Sequence, residues 1–559
     1  MVPDTISTPL DPSRYSWQQS SQDPSLWQRL ALSGECMWTS SSKDVRELFI
    51  TSTLTLTLPI SRTTLDSAAA HAWQTLRLQL PQLALRISVA PEGAEAGIVY
   101  LQYRTPQSQA EVDAWIDRTS HYGAGRDVLS LEDLRVKVLL EKQGHDSDQA
   151  FMLLHSQALD YSHDLVENFQ IMLNVDHQVT DGNGTKIILG KYLSLLASAL
   201  DTSNETLQEE ISWEESHKNL IEPWIQHMNK DQVTDGTEYQ CMVAQNQTYF
   251  LVKSKLNPGL FLSQDEDAST QETHSITLHT SHTSAIIKSI KQELGPSSNI
   301  THLCHAAMVL AILRASPPFP SHHPKHTQTM YSPCWLNGRR YLSPTPACPS
   351  PVIDFIPCCI SFAPIIFSDI NELVLSSTAT TDEIREKLLK ACHISTSQYL
   401  KIRERKSMLP ECVNLFEDTG RKQLLQKQRI AESTELEDNT SPRAPPMEHP
   451  FFLSDGLTEK YISHTYPPSK SPPILTVNKV HFAAHTAQNL VVRMTSWRGS
   501  TTLSGEWRGC DYKHGKIVAF LEDVVRIIGL ISQDWAISIS TQAIIPQVKR
   551  LYQNFTQQF

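Results

Sequence analysis

Residues 171–175 form an apolar run that leads into His177, and Asp181 and Gly182 follow four and five positions later. Behind them Ile187, Ile188, Leu189, Tyr192 and Leu193 recur at helical spacing. Apolar run, glycine-marked turn and amphipathic stretch read in order as strand, tight turn and helix. A segment of this kind belongs in a sheet packed against helices, the α/β class. It also puts one imidazole at a strand end, with a carboxylate and a glycine at the turn to hold it. An imidazole, with an ordinary pKa of about 6.5, is suited to take a proton from a hydroxyl near neutral pH. The plainer alternative is a core histidine that caps a turn.

Spacing alone carries little weight, because the same His-x-x-x-Asp pattern recurs at His227 and Asp231. That copy has no apolar strand before it, no glycine after the aspartate and no buried helix behind it. It reads as a solvated surface segment.

At 559 residues the chain exceeds what one hydrophobic core usually supports, so two domains are expected. A hydrophobic content of 40% and an aromatic content of 8% fit a globular protein. The 48 basic and 60 acidic side chains leave a net charge of −12 with no basic cluster, which argues against nucleic acid or an anionic membrane as the main partner. No apolar stretch reaches the roughly 20 residues needed to span a bilayer, and the polar N-terminus lacks a signal core. The ten cysteines show no Cys-x-x-Cys pair, so neither a metal site nor a disulfide framework is expected. Adjacent Cys358 and Cys359 read as small buried side chains in a strand. Of six Asn-x-Ser/Thr sequons, one starts at Asn183 beside the histidine, where a glycan would block it. The chain therefore reads as cytoplasmic.

Alternation predicts a strand over 48–58 and helical spacing a helix over 63–79, closed by Pro81. Further strands are expected at 81–89, 97–103, 134–140 and 150–155, with a short helix at 110–119. Residues 201–273, polar and acidic, read as a crossover between a first domain, 1–200, and a second, 274–559. In the second domain a strand at 275–280 precedes helices at 282–294 and 299–314, a Pro-rich stretch at 316–324 and a long helix at 382–405. Residues 425–450 read as a loose insertion. Strands at 474–482, 489–495 and 500–507 and a helix at about 515–530 close the chain. The two halves carry similar lists of elements, as two related domains facing each other would.

The stretch from His177 to Gly182 resembles the active-site motif of the CoA-dependent acyltransferase superfamily that includes BAHD enzymes, chloramphenicol acetyltransferase and peptide-synthetase condensation domains. The nearest likeness is to fungal O-acetyltransferases of secondary metabolism, such as the trichothecene acetyltransferases. The resemblance implies two chloramphenicol-acetyltransferase-like domains, each a mixed sheet with flanking helices, with a tunnel between them. It also implies acetyl-CoA or another acyl-CoA as cosubstrate, a hydroxylated small-molecule acceptor, no bound cofactor or metal, and a monomer. His177 would be the general base in a ternary complex. Asp181 would face away from substrate and pair with Arg339 of the second domain, in the run from Asn337 to Arg339. Gly182 would permit close backbone approach.

The chain departs from plant members by lacking their Asp-Phe-Gly-Trp-Gly motif; Asp455 and Gly456 are its partial counterpart. Ser496 and Trp497 match C-terminal strand residues that line the site in relatives. Condensation domains carry a second histidine where this chain has Asp176. Two other readings remain at this point: a condensation-like enzyme forming amides or rings without CoA, and a binding protein on the same fold.

Overall fold

The computed structural model describes residues 10–39, 45–90, 96–145, 147–160, 163–201, 212–252, 258–263, 271–318, 329–346, 348–376, 378–432, 447–486 and 489–532. Two six-stranded mixed sheets dominate it. The first runs in the order Thr465–Tyr466, Leu475–Ala484, Glu47–Ser61, His163–Asp176, Ala150–Asp160, Ser120–Gly125. The second runs Gln271–Leu278, Ser500–Arg508, Val491–Trp497, Phe451–Leu457, Thr329–Asn337, Ile360–Ser368. Each carries antiparallel and parallel neighbours, as in the Phe451–Leu457 strand, which runs parallel to both of its own. One departure from sequence order has a consequence for the site. The Leu475–Ala484 strand leaves the C-terminal region and pairs with Glu47–Ser61, setting Leu475 opposite Leu56 and Ala484 opposite Leu48.

Helices cover each sheet. Arg62–Gln79 starts at Ser61, whose hydroxyl accepts from the Thr64 amide, and buries Leu65, Ala69, Ala72, Trp73 and Leu76. It packs against Gly182–Leu200, and Trp73 meets Tyr192 of that helix edge-on at 6.0 Å. On the second sheet, Ile300–Ala315 is buried along nearly all its length between Thr381–Glu404 and His514–Gly529. Among the described residues no helix is long and apolar enough to cross a membrane.

Four expectations from the sequence need correction. Residues 134–140 lie in a helix, Leu131–Glu141, not a strand. Its valines suggested β-structure, but Ser130 and Asp133 form a capping box that starts a helix, and Leu134 and Val138 pack on the sheet. The stretch 81–89 begins as a 3-10 turn, Pro81–Ala84, before the strand Arg86–Val89. Residues 425–432 continue the helix Pro410–Glu432; the rest of the expected insertion, 433–446, lies outside the described residues. His227 is buried, not solvated: Trp224 and Ile225 draw the segment inward, and its ring meets Phe355 edge-on at 5.4 Å. Cys358 and Cys359 are buried as expected, although they lie just before the Ile360–Ser368 strand. Part of the Pro-rich stretch, 319–324, is also outside the described residues.

The second core encloses a chain of polar groups. His449 Nδ1 lies 2.7 Å from the Pro258 carbonyl, so it donates there and its Nε2 accepts from the Ser332 hydroxyl at 3.0 Å. Ser332 in turn accepts from His305 Nε2 at 2.7 Å, and His305 Nδ1 accepts from Tyr399 at 2.9 Å. Burial holds His305 well below the ordinary histidine range, so its ring is neutral. Ser332→Ala strands two ring nitrogens at once. It should lower unfolding stability by about 1–3 kcal/mol, read as a fall in the urea midpoint.

Candidate active site

The His163–Asp176 strand ends at the turn carrying His177. The backbone there is fixed on both sides: the His177 amide donates to the Arg46 carbonyl at 2.8 Å and the Val179 amide to Asp176 at 3.0 Å. Asp181 then serves as N-cap of Gly182–Leu200, with one carboxylate oxygen accepting from the amides of Asn183 (3.0 Å) and Gly184 (2.9 Å). Its other oxygen accepts from Arg339 Nη1 and from the Cys359 amide, both at 2.8 Å. Asp181 therefore faces away from His177 and into the second half of the molecule. The resemblance implied this pairing, and the structure brings the two residues together.

Arg339 is fully buried. Its Nε donates to Phe355 O at 2.7 Å, and Nη2 reaches the carbonyls of Ile356 (3.4 Å) and Pro357 (3.2 Å). Burial alone would raise the Asp181 carboxyl, but the Arg339 charge and its hydrogen bonds outweigh it and hold the group below the usual carboxylate range. Thr180 docks on the same loop, its hydroxyl donating to Ile356 O at 2.7 Å.

The closest glycine approach is at Gly184, which the sequence reading did not single out. A Cβ there would lie 2.0 Å from Thr180 Oγ1 and 2.4 Å from Ile356 O. Gly182 is less crowded, with Phe482 Cζ 3.2 Å from where its Cβ would be.

His177 borders a cavity of about 340 Å³. Its walls come from both sheets: Leu48 and Phe482 from the first, and Trp335, Phe451, Asp455, Val491 and Arg493 from the second. Trp335, Phe416 and Phe451 make a contiguous aromatic wall, with ring centroids 5.5 and 6.1 Å apart. Burial lowers the basicity of His177, more than its own backbone, Asp181 and the Thr180 backbone restore. Trp38 stacks on the imidazole at 4.5 Å between centroids. Among the described residues no group of His, Cys, Asp or Glu is arranged to hold a metal ion.

Asp455 borders the cavity inside a buried ionic lattice. It accepts from Lys186 Nζ at 3.1 Å and from Arg493 Nη1 at 2.9 Å, while Arg493 also grips Glu506 with Nε at 2.7 Å and Nη2 at 3.1 Å. Lys186 belongs to the helix that begins at Asp181, so a second ionic tie joins that helix to the second sheet. Gly456 does not border the cavity; with φ +67° it sits at a strand irregularity beside Ser454.

Ser496 and Trp497, expected in the lining, do not border it either. Ser496 shares a strand face with Val492 and Met494, which turn into the second core. Trp497 lies four residues past Arg493, where its indole donates to the Asn478 carbonyl at 3.4 Å. Trp38, Phe416, Phe482 and Arg493 were missed from sequence, and no motif marks them.

The family model described as 15-O-acetyltransferase Tri3 matches residues 7–417. Trichothecene 15-O-acetyltransferase TRI3 of Fusarium sporotrichioides is 22% identical over 551 residues, covering 93% of this chain and 97% of that protein. The solved structure of the same Fusarium acetyltransferase superposes with a TM-score of 0.79 at 19% identity, covering 94% of this chain and 99% of that one. The first condensation domain of the calcium-dependent antibiotic synthetase shares the fold more distantly, with a TM-score of 0.53 at 12% identity over 90% of this chain and 95% of that one.

Breaking the Asp181–Arg339 pair from one side leaves a charge buried without a partner. Arg339→Met should therefore cost about 3–5 kcal/mol, measured by urea unfolding. An unchanged midpoint would show that the pair does not anchor the turn.

Proposed function

Since this chain belongs to the 15-O-acetyltransferase Tri3 family and is an acyltransferase, we propose that it moves an acetyl group from acetyl-CoA to a hydroxyl of a trichothecene, with His177 as general base. The observation that carries this reading is the His177 imidazole, at the turn held by Asp181 and Arg339, bordering a cavity whose walls come from both sheets. The aromatic wall suits an acceptor with a largely apolar skeleton, leaving its hydroxyl for the polar side where His177 lies.

The reaction follows from these groups. His177 takes the proton of the acceptor hydroxyl as its oxygen attacks the thioester carbonyl. The tetrahedral intermediate collapses, the C–S bond breaks, and the departing thiolate takes the proton back from the imidazolium. Both reactants are held at once, so no acyl-enzyme forms and much of the rate comes from orientation. Asp181 contributes by fixing the turn, since both its oxygens are committed to Arg339, Cys359 and the helix amides.

Purified protein given acetyl-CoA and a trichothecene alcohol should release free thiol and form a product heavier by one acetyl group. His177→Ala should lower that rate at least about 100-fold; an unchanged rate would move the chemistry to another residue. Burial favours the neutral ring, so the base form should persist on acidification past the ordinary histidine value. The acid limb of kcat/KM should accordingly fall below pH ~6.5. A limb above that value would contradict a desolvated base.

A further inference from the structure

The base reading leaves one question open. When His177 takes the hydroxyl proton it becomes an imidazolium in a buried place, and a buried cation needs compensation. The Asp181 charge and the backbone of His177 and Thr180 offset only part of the cost of burial. Asp181 is turned to Arg339 and the Cys359 amide. Arg493 is itself a cation, held by Asp455 and Glu506. Asp176, one residue before the histidine, pairs with Arg46 at 3.3 Å. Among the described residues no carboxylate lies within ion-pair distance of the His177 ring, and its buried Nδ1 has no well-formed hydrogen bond. What does lie against the ring is the indole of Trp38, with centroids 4.5 Å apart and planes inclined by 26°.

That stack is built, not incidental. Trp38 follows the short helix Gly34–Met37, whose Glu35 is buried and grips Arg29 through two contacts of 2.7 Å. Gln178, the residue after His177, donates from its side-chain amide to the Glu35 carbonyl at 3.3 Å and to the Thr39 hydroxyl at 2.8 Å. The chain on both sides of Trp38 is thus tied to the side chain of the residue next to His177. Gly34 presses that helix onto the second half, since a Cβ there would sit 2.8 Å from Ile360 Cγ1. The ring pair is registered from both ends.

We propose that Trp38 is a positioning residue for the acetyl transfer: its indole face orients the His177 ring and stabilises the imidazolium formed as the acceptor hydroxyl loses its proton. A cation over an indole face within about 6 Å of the centroid is attracted by the ring's quadrupole, most strongly where water is excluded. The neutral imidazole gains far less from the same face, so the contact favours the transition state over the ground state. This inference rests on His177 being the base.

The test uses Trp38→Leu and Trp38→Phe in the full chain, with thermal melting first to show that both fold. Trp38→Leu should lower kcat about 3- to 30-fold, the range of a partly to fully desolvated cation–π contact. Trp38→Phe, which keeps a weaker π-face, should recover much of it. The sign of a second readout separates charge stabilisation from mere coverage. Losing the π-face should move the acid limb of kcat/KM down by about half a pH unit. If the indole only kept water out, Trp38→Leu would hydrate the ring and move the limb up. An upward or absent shift, or a Phe variant no better than Leu, overturns the proposal. A His177→Ala variant at full rate would instead overturn the base reading; an inactive one beside an unshifted Trp38→Leu limb sinks the Trp38 proposal alone.

Discussion

The buried pair of Asp181 and Arg339 fixes where His177 stands. Taking both charges out of water is costly, and the cost is offset because the remaining hydrogen-bonding capacity is filled nearby. Arg339 donates to the carbonyls of Phe355, Ile356 and Pro357 as well as to Asp181, and Asp181 accepts from Cys359 and from two helix amides. Those partners belong to the 355–359 loop of the second half and the helix start of the first. One ion pair therefore closes the His177 turn, caps the following helix and docks both onto the facing domain. Apolar packing could bury as much surface, but without this directional demand it would tolerate sliding.

The cavity depends on the same logic repeated one helical turn later. Lys186 reaches Asp455, Asp455 reaches Arg493, and Arg493 reaches Glu506, so charge alternates along the lattice. Arg493 also stacks over Phe482 at 4.5 Å from the ring centroid. Phe482 lies on the strand that crosses from the C-terminal region into the first sheet, and its ring faces Gly182. The crossing strand is what lets side chains of both sheets share one wall. Trp497, whose indole holds the Asn478 carbonyl of that strand, fastens the crossing from outside the cavity.

What could be read from sequence was local. The strand–turn–helix at His177 is legible because an apolar run, a turn and a helical repeat are adjacent in the chain, and the helices Ile300–Ala315, Thr381–Glu404 and His514–Gly529 are legible for the same reason, whereas Pro410–Glu432 is not. Arg339 was reached through its resemblance to a family pattern. The rest depends on distance in sequence that the fold removes. Trp38 precedes His177 by more than a hundred positions and meets it where the Gln178 side chain holds the Glu35 carbonyl and the Thr39 hydroxyl. Arg493 looked like any strand arginine among valines until its partners were in place. The helix Leu131–Glu141 failed for a different reason: β-branched residues outweighed a capping box that was present in the sequence. Nothing in the local sequence marks Gly184, where a Cβ would collide with a carbonyl from the other half.

The placement of Asp181 has a chemical consequence beyond rigidity. A carboxylate four residues from a histidine invites the thought of a dyad in which the acid raises the base. Here it would work against the reaction, because an ion-paired imidazole holds its proton more tightly and is less available as a neutral base near pH 7. With Asp181 turned to Arg339, burial outweighs the pull of that carboxylate and of the nearby backbone on the ring, and burial favours the neutral form. The cost is that an imidazolium formed there has no carboxylate in direct contact among the described residues. An aromatic face answers that need without the penalty, because its attraction for the ring grows when the ring becomes charged and is small while it is neutral. In the proposed reaction the turn thus separates two tasks that a dyad would combine: the carboxylate holds the backbone in place, and the indole meets the charge.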